Sequence, residues 1–171
     1  MHIIKATMDD LPAILQIYAE AREFMRRDGN PNQWKDKYPL VEIVKRDIDL
    51  GFSHLCVDND EILAVFYFCI ESDPTYAKID GAWLNDEPYG VVHRIAVRRD
   101  VKGVGTFCLN WCLGLCDNLR IDTHEDNRPM RGLLKKLGFT YCGIIWVLDG
   151  TEERLAFQKV LRQESDLPSS S

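Results

Sequence analysis

Residues 91–111 are VVHRIAVRRDVKGVGTFCLNW, and their order decides the fold that we expect. Residues 91–97 are mostly apolar and predict a buried strand, which a basic turn with two glycines joins to an amphipathic helix. Gly103 and Gly105 let the backbone approach an anion closely, and the unpaired N–H groups at a helix N-terminus attract negative charge. Lys102 adds a positive charge. The stretch therefore predicts a phosphate-binding turn between a strand and a helix.

The composition is typical of one globular domain. The chain has 171 residues, of which 46% are hydrophobic and 28% charged, and no apolar run approaches the roughly 20 residues that span a bilayer. Its net charge of -6 argues against a nucleic-acid partner and suits a cationic substrate. We expect a cytoplasmic protein, monomeric or homodimeric, that binds neither nucleic acid nor membrane. We predict a single domain over residues 1–163 and a disordered tail over residues 164–171.

The placement of the six cysteines predicts free thiols. Three lie in apolar, strand-like runs and three recur at every fourth position of one helix: Cys56, Cys69 and Cys142, then Cys108, Cys112 and Cys116. Cysteine is often buried as a free thiol at such positions. A metal site would need CxxC pairs or interleaved histidines, which this spacing does not provide. We expect neither disulfides nor a bound metal.

Hydrophobic periodicity divides the chain into helices and strands. The predicted order is β-α-α-β-β-β-α-β-α-β-β, a mixed α/β domain without an internal repeat or a linker. Residues 72–89 form the one long segment predicted to be irregular. Its aromatic side chains, Tyr76, Trp83 and Tyr89, favour a functional loop over disorder.

Two blocks of this sequence together resemble the GCN5-related N-acetyltransferase (GNAT) superfamily. The first is IAVRRDVKGVG, residues 95–105, which is similar to the family's strand and its Arg/Gln-x-x-Gly-x-Gly/Ala turn. The second is NRPMRGLLKKLGF, residues 127–139, in which Asn127, Lys136 and Gly138-Phe139 match the family's spacing. The resemblance covers nearly the whole chain. It implies a single-domain acyl-CoA N-acyltransferase fold of the α+β kind, with a mixed, mostly antiparallel central sheet flanked by helices.

The same resemblance implies acetyl-CoA as cosubstrate, without a metal. It assigns the pyrophosphate and the pantetheine arm to residues of the first block and to one residue of the second: Ile95, Ala96, Val97, Lys102, Gly103, Val104, Gly105, Thr106 and Asn127. The backbone amide of Ile95 is the implied oxyanion donor. Lys102 stands where the family usually has Arg or Gln, but backbone N–H donors do not depend on the side chain, so we expect anion binding to survive.

Acetyl transfer from a thioester to an amine needs a base for the amine. His93 is our candidate, because strand alternation puts it on the same side as Ile95, two residues later, and an imidazole accepts a proton near neutral pH. The alternative for His93 is a hydrogen-bonding role within the sheet. Glu71 and Asp122 are rival carboxylates, and Asp122 lies where the two central strands are expected to splay apart.

The departing thiolate also needs a proton. Leu134 stands where many members of the family have a Tyr that supplies it, so that role cannot be carried over. The remaining alternatives are Tyr141, water, or no proton transfer within the site, because a thiol of pKa about 8 to 9 leaves without much help. Tyr141 also fits a purely structural role in a core or an interface.

Aromatic and polar side chains on either side of the phosphate-binding stretch are expected to select the acceptor: Trp34, Glu71, Tyr76, Trp83, Asp122 and His124. For the two tryptophans the alternative is a cap on the core, and for His124 it is a capping role in the turn around it.

The expected function is an acetyl-CoA-dependent N-acetyltransferase that acts on a primary amine, carried by a small molecule or a peptide. We expect direct attack in a ternary complex, because no cysteine is placed as an acyl carrier. The alternative is a non-catalytic acyl-CoA-binding or sensor module of the same fold, which the loss of the usual Tyr favours. A Rossmann dinucleotide site is excluded, because its GxGxxG follows the first strand, whereas here the turn is mid-chain and continues GVGTFC.

Overall fold

A computed structural model describes residues 1–35 and 37–161 of the chain. The strands are His2–Lys5 (β1), Ser53–Asp58 (β2), Glu61–Cys69 (β3), Asp80–Gly81 (β4), Gly90–Val97 (β5), Asn118–Thr123 (β6), Thr140–Val147 (β7) and Glu152–Val160 (β8). The helices are Leu11–Arg27 (α1), Val41–Asp49 (α2), Val104–Cys116 (α3) and Arg128–Lys136 (α4). The predicted tail, residues 164–171, and the predicted end of the domain at residue 163 lie outside the described residues.

The strands form one sheet in the order β1-β2-β3-β5-β6-β8-β7-β4. β5 pairs with β6 in parallel, while the other neighbouring strands are antiparallel. The predicted α+β class and the mixed, mostly antiparallel sheet flanked by helices are therefore confirmed. Among the described residues, no helix combines the length and the apolar character that a membrane crossing requires.

Helices cover both faces of the sheet, and each face has its own core. The α3-side cluster contains residues of α3, α4 and the sheet, among them Leu109, Leu134 and Phe66. The α1-side cluster packs α1 and α2 on the opposite face and includes Ile14 and Val65. Neighbouring residues of β3 thus enter opposite clusters, which explains why the strand is apolar at nearly every position.

The segment predicted to be irregular, residues 72–89, contains a short strand that the sequence did not indicate. β4 pairs with β7, and at this crossing the backbone of Gly81 lies against that of Gly143. A Cβ on Gly81 would come within 2.1 Å of the Cys142 carbonyl oxygen, so the pairing requires glycine at these positions. The segment also includes a 3-10 turn, Pro74–Tyr76, which buries the ring of Tyr76.

The six cysteines are free, as predicted. Five are buried and Cys116 is half-buried. Burial raises the pKa of every one of these thiols, most strongly for Cys108 and Cys112 inside the α3-side cluster. A thiol with a raised pKa holds little thiolate at neutral pH and is a poor nucleophile.

Candidate active site

A cavity opens where the two parallel strands part. β5 and β6 are paired only from Gly90–Val92 to Leu119–Ile121, and beyond these residues they diverge. The expected splay of the two central strands near Asp122 is therefore present. The cavity has a volume of about 510 Å³ and is lined by residues of β5, β6, β8, the loop after α1 and the N-terminus of α4.

A β-bulge in β5 changes which side chains face this cavity. His93 is opposite Tyr67 and Ala96 is opposite Val65, so two residues of β5 face one residue of β3. Arg94 takes the left-handed conformation with φ 50. The extra residue inverts the alternation of side chains along β5. Ile95 packs on the α3-side cluster, whereas His93 lies on the opposite face, with its ring 5.9 Å from the ring of Tyr76. The prediction that His93 and Ile95 share one side is therefore wrong.

The bulge is held by buried polar groups on the α1 side of the sheet. The Arg94 guanidinium donates two hydrogen bonds to the Asp47 carboxylate, at 2.8 and 2.9 Å, and the Tyr18 hydroxyl donates to the Arg94 carbonyl at 2.9 Å. Burial alone would lower the pKa of Arg94, but Tyr38 and Asp47 raise it above its ordinary value. Arg94 lines the cavity, but the Asp47 carboxylate neutralises its charge.

His93 lies between two carboxylates in the cavity wall. Its Nε2 is 2.6 Å from Asp73 Oδ2, and its Nδ1 is 3.6 Å from Asp122 Oδ1. The hydroxyl of Tyr76 donates to Asp122 Oδ1 at 2.6 Å. Burial, and then the charge of Asp122, raise the pKa of Tyr76 well above its ordinary value, so this hydroxyl is a fixed donor. The cluster therefore holds an imidazole in one orientation and carries excess negative charge.

Asp73 is held as an anion. Burial would raise the pKa of its carboxyl, but hydrogen bonds from His93 and from the hydroxyl and amide of Thr75 outweigh burial and lower it to about 2. The Asp73 amide donates in turn to the Tyr89 hydroxyl at 2.9 Å. Sequence reasoning missed Asp73, because it lies in an irregular segment and its partner His93 is 20 residues away.

The low pKa of Asp73 predicts a dependence of stability on pH. Its value in the folded protein, about 2, lies below the ordinary 3.8, so the ionised carboxylate stabilises the fold. This contribution is complete above about pH 4 and is lost as the pH falls towards about 2. We expect wild type to lose more stability than Asp73→Asn over this interval, measured by urea unfolding at several pH values. Parallel losses in the two proteins would contradict this assignment.

The structure brings together some of the residues predicted to select the acceptor. Trp34 and Asp122 line the cavity. Tyr76 is buried behind Asp122, and Trp83 packs on Tyr76 and donates its indole N–H to the Tyr76 carbonyl at 2.9 Å. These two aromatic residues therefore support the wall from behind.

Three other candidates are not brought to the cavity. Glu71 is exposed, and His124 accepts a hydrogen bond from the Asp126 amide at 3.0 Å, as its alternative role in the turn predicted. Tyr141 is 54% exposed and packs edge-on against Phe157 on β8. Leu134 is fully buried in the α3-side cluster, so this position supplies no proton donor either.

The turn before α3 has the features of an anion site. Gly103 caps the helix in the left-handed conformation, with φ 80. The first backbone bond of the helix runs from the Phe107 amide to the Gly103 carbonyl at 3.0 Å, which leaves the amides up to Thr106 for other partners. A Cβ on Gly105 would lie 2.9 Å from Leu133 Cδ2, so glycine lets α3 approach α4 closely. These features fit the phosphate-binding turn that the sequence predicted.

The loop after α1 contributes Asn32, Gln33, Trp34 and Lys35 to the wall of the cavity. The side-chain Nδ2 of Asn127 donates to Gln33 Oε1 at 2.8 Å, while its side-chain oxygen caps α4 by accepting from the Met130 backbone amide at 3.2 Å. Lys35 Nζ lies 2.9 Å from Glu152 Oε1 on β8. Asn127 thus positions this loop as well as the end of a helix.

Comparisons with known proteins agree with the observed fold. A family model described as the acetyltransferase (GNAT) family matches residues 11–139. The structure is similar to that of a GNAT-family acetyltransferase from Streptococcus agalactiae, with 30% identity, a TM-score of 0.83, and coverage of 95% of this chain and 96% of that one. No curated protein matches the chain.

More distant structures share the fold alone. A GNAT-family acetyltransferase from Listeria monocytogenes is 19% identical, with a TM-score of 0.69 and 94% of each chain covered. The ribosomal-protein-S18-alanine N-acetyltransferase from Escherichia coli is 16% identical, with a TM-score of 0.61 and 98% of each chain covered.

Proposed function

The chain belongs to the acetyltransferase (GNAT) family, and from that premise we propose that it transfers the acetyl group of acetyl-CoA to a primary amine. The observation that carries the proposal is the position of His93. It lines the cavity where β5 and β6 part, and it is held between two carboxylates. This arrangement can receive an ammonium group and remove its proton.

His93 is the proposed base. The Asp73 carboxylate accepts a hydrogen bond from Nε2, which fixes the proton on that nitrogen and leaves the lone pair of Nδ1 for an incoming proton. Asp122 lies 3.6 Å from Nδ1, and its charge favours the ammonium form of the acceptor at this place. His93 then generates the neutral amine beside the acetyl donor.

The donor side of the site is made of backbone. The amides at the start of α3, from Gly103 to Thr106, would hold the phosphates, and the edge of β5 from Ile95 to Val97 would hold the pantetheine arm. Acetyl-CoA, when bound, supplies a thioester carbonyl that an amine can attack. The Ile95 amide is the proposed oxyanion donor, because the bulge and the parting of β5 from β6 leave this part of the strand beside the cavity.

Direct attack in a ternary complex is the proposed route. A covalent acyl-cysteine would need an accessible thiolate, whereas burial raises the pKa of all six thiols. A thiol with a pKa of about 8 to 9 leaves without a strong acid, so water suffices as the proton donor. The absence of a Tyr at Leu134 is compatible with turnover on these grounds.

A panel of primary amines tests the proposal. Each amine is incubated with acetyl-CoA and the protein, and CoA release is followed with a thiol reagent while the acetylated product is identified by mass spectrometry. We expect turnover of one or more amines. Stabilisation of the fold by CoA without turnover of any amine would instead favour the non-catalytic acyl-CoA-binding module. Cytoplasmic location and a monomeric or homodimeric state stay predictions from the sequence.

A further inference from the structure

The cavity has two ends of opposite charge. At one end the carboxylates of Asp73 and Asp122 flank the imidazole of His93. At the other end Lys35 and Arg154 share one carboxylate, Glu152, whose oxygens lie 2.9 Å from Lys35 Nζ and 3.2 Å from Arg154 Nη2. Two cations and one carboxylate leave an excess of positive charge at this end.

Arg154 lies on the same face of the sheet as the acidic end. Asp122 on β6 is directly opposite Ala156 on β8, and Arg154 is two residues before Ala156, so the three side chains point to one face. Diagonal neighbours of this kind are roughly 7–8 Å apart at the backbone. A small molecule with an ammonium and an anionic group a few bonds apart can therefore reach both Asp122 and Arg154.

Arg154 has hydrogen-bonding capacity beyond its known partners. Its side chain is 7% exposed, and it donates to the carbonyls of Glu153 and Gln33 and to the Glu152 carboxylate. These contacts, taken over the described part of the chain, account for three of the five donors of a guanidinium. Arg94, the other arginine of the cavity wall, differs because Asp47 accepts two bonds from it and neutralises it.

We propose that the acceptor is an amino acid, or a compound with a similar anionic group beside its amine. The carboxylate binds the guanidinium of Arg154, and the ammonium binds between Asp122 and His93. The inference rests on the proposed function, because it names the acceptor of that same site. A simple amine would leave the excess positive charge unpaired, and a diamine would place its second ammonium against Lys35 and Arg154.

Wild-type enzyme gives the first test, without any substitution. Apolar L-amino acids are suited to the side chains of Trp34, Met130 and Val147 in the wall. Each amino acid, for example leucine, is compared with its carboxamide and its decarboxylated amine, with kcat/KM expressed per neutral amine. We expect the free amino acid to be preferred by roughly 10- to 100-fold, the usual worth of a hydrogen bond to a charged group.

Substitution of Arg154 gives the second test. Arg154→Met should remove most of the preference for the amino acid over its decarboxylated amine, whereas Arg154→Lys should retain part of this preference. The preference is a ratio measured on one preparation, so loss of folded enzyme does not change it. Arg27→Met removes an exposed arginine at the end of α1 and should keep the wild-type ratio.

The outcomes separate the two proposals. Turnover of amines and carboxamides at least as fast as of amino acids would overturn the amino-acid acceptor and leave the acetyltransferase standing. An unchanged ratio in Arg154→Met would overturn it as well. Failure of every amine and every amino acid, with CoA still stabilising the fold, would overturn the proposed function and with it this inference.

Discussion

His93→Ala is expected to lower kcat/KM for amine acetylation by about 10²- to 10⁴-fold at neutral pH, the usual contribution of a general base. Nδ1 of His93 is the proposed acceptor of the amine proton, and Asp73 fixes its orientation through Nε2. The loss should shrink as the pH rises to about 10, because the amine itself is then increasingly neutral in solution. The measurement is kcat/KM of both enzymes across this pH range.

A matched control separates this effect from general damage. His2→Ala changes an exposed histidine on β1, at the edge of the sheet, and should behave as wild type. Thermal unfolding of both variants shows whether the fold is retained. If His93→Ala loses the same factor at every pH, the proton-transfer role is wrong and His93 serves only to shape the cavity.

Thr106→Glu is expected to weaken CoA binding by about 100-fold or more, because a carboxylate would stand at the proposed site of the phosphates, and like charges in contact cost several kcal/mol. The stability of the free protein should move in the opposite direction. Thr106 is the third residue of α3, and a negative charge in the first turn of a helix stabilises it by about 0.3–1 kcal/mol. Thermal shift and calorimetric titration with CoA measure the two quantities.

Thr106→Gln provides the control, since it has nearly the same size as the Glu variant without the charge. It should bind CoA within a few-fold of wild type. If the Glu and Gln variants bind CoA with equal affinity, the phosphates do not bind at this turn and the proposed donor site is wrong. Misfolding of Thr106→Glu would lower both its stability and its affinity for CoA, whereas we expect its stability to rise while its affinity falls.

Much of the fold follows from the sequence because its main elements are long and periodic. The apolar positions of β3, α3 and β5 predicted buried elements, and the two glycines around the start of α3 predicted where this helix begins. β4 escaped prediction because a strand of two residues has no periodicity. What fixes it is the contact between Gly81 and Gly143, which are distant in the chain.

The candidate site was less predictable because its groups meet only in three dimensions. His93 could be found as a histidine on the strand before the phosphate turn, but the bulge at Arg94 depends on Asp47 and Tyr18 from two helices. In the sequence, Arg154 is one polar residue of an ordinary alternating strand, and nothing marks it as part of a site. Its position in a cavity wall depends on the loop after α1, which lies over it through Gln33.

Where β5 and β6 separate, the backbone faces one part of the proposed site and side chains face the other. In the proposed site, the donor is recognised by main-chain amides of β5 and α3, which most single-residue substitutions leave in place. The proposed acceptor site depends instead on side chains such as Asp122 and Arg154, each of which a single substitution can replace. On this proposal, variants of the chain would exchange one acceptor for another while they keep the same donor, so selection for a new substrate would start from a protein whose acetyl-CoA site is already formed.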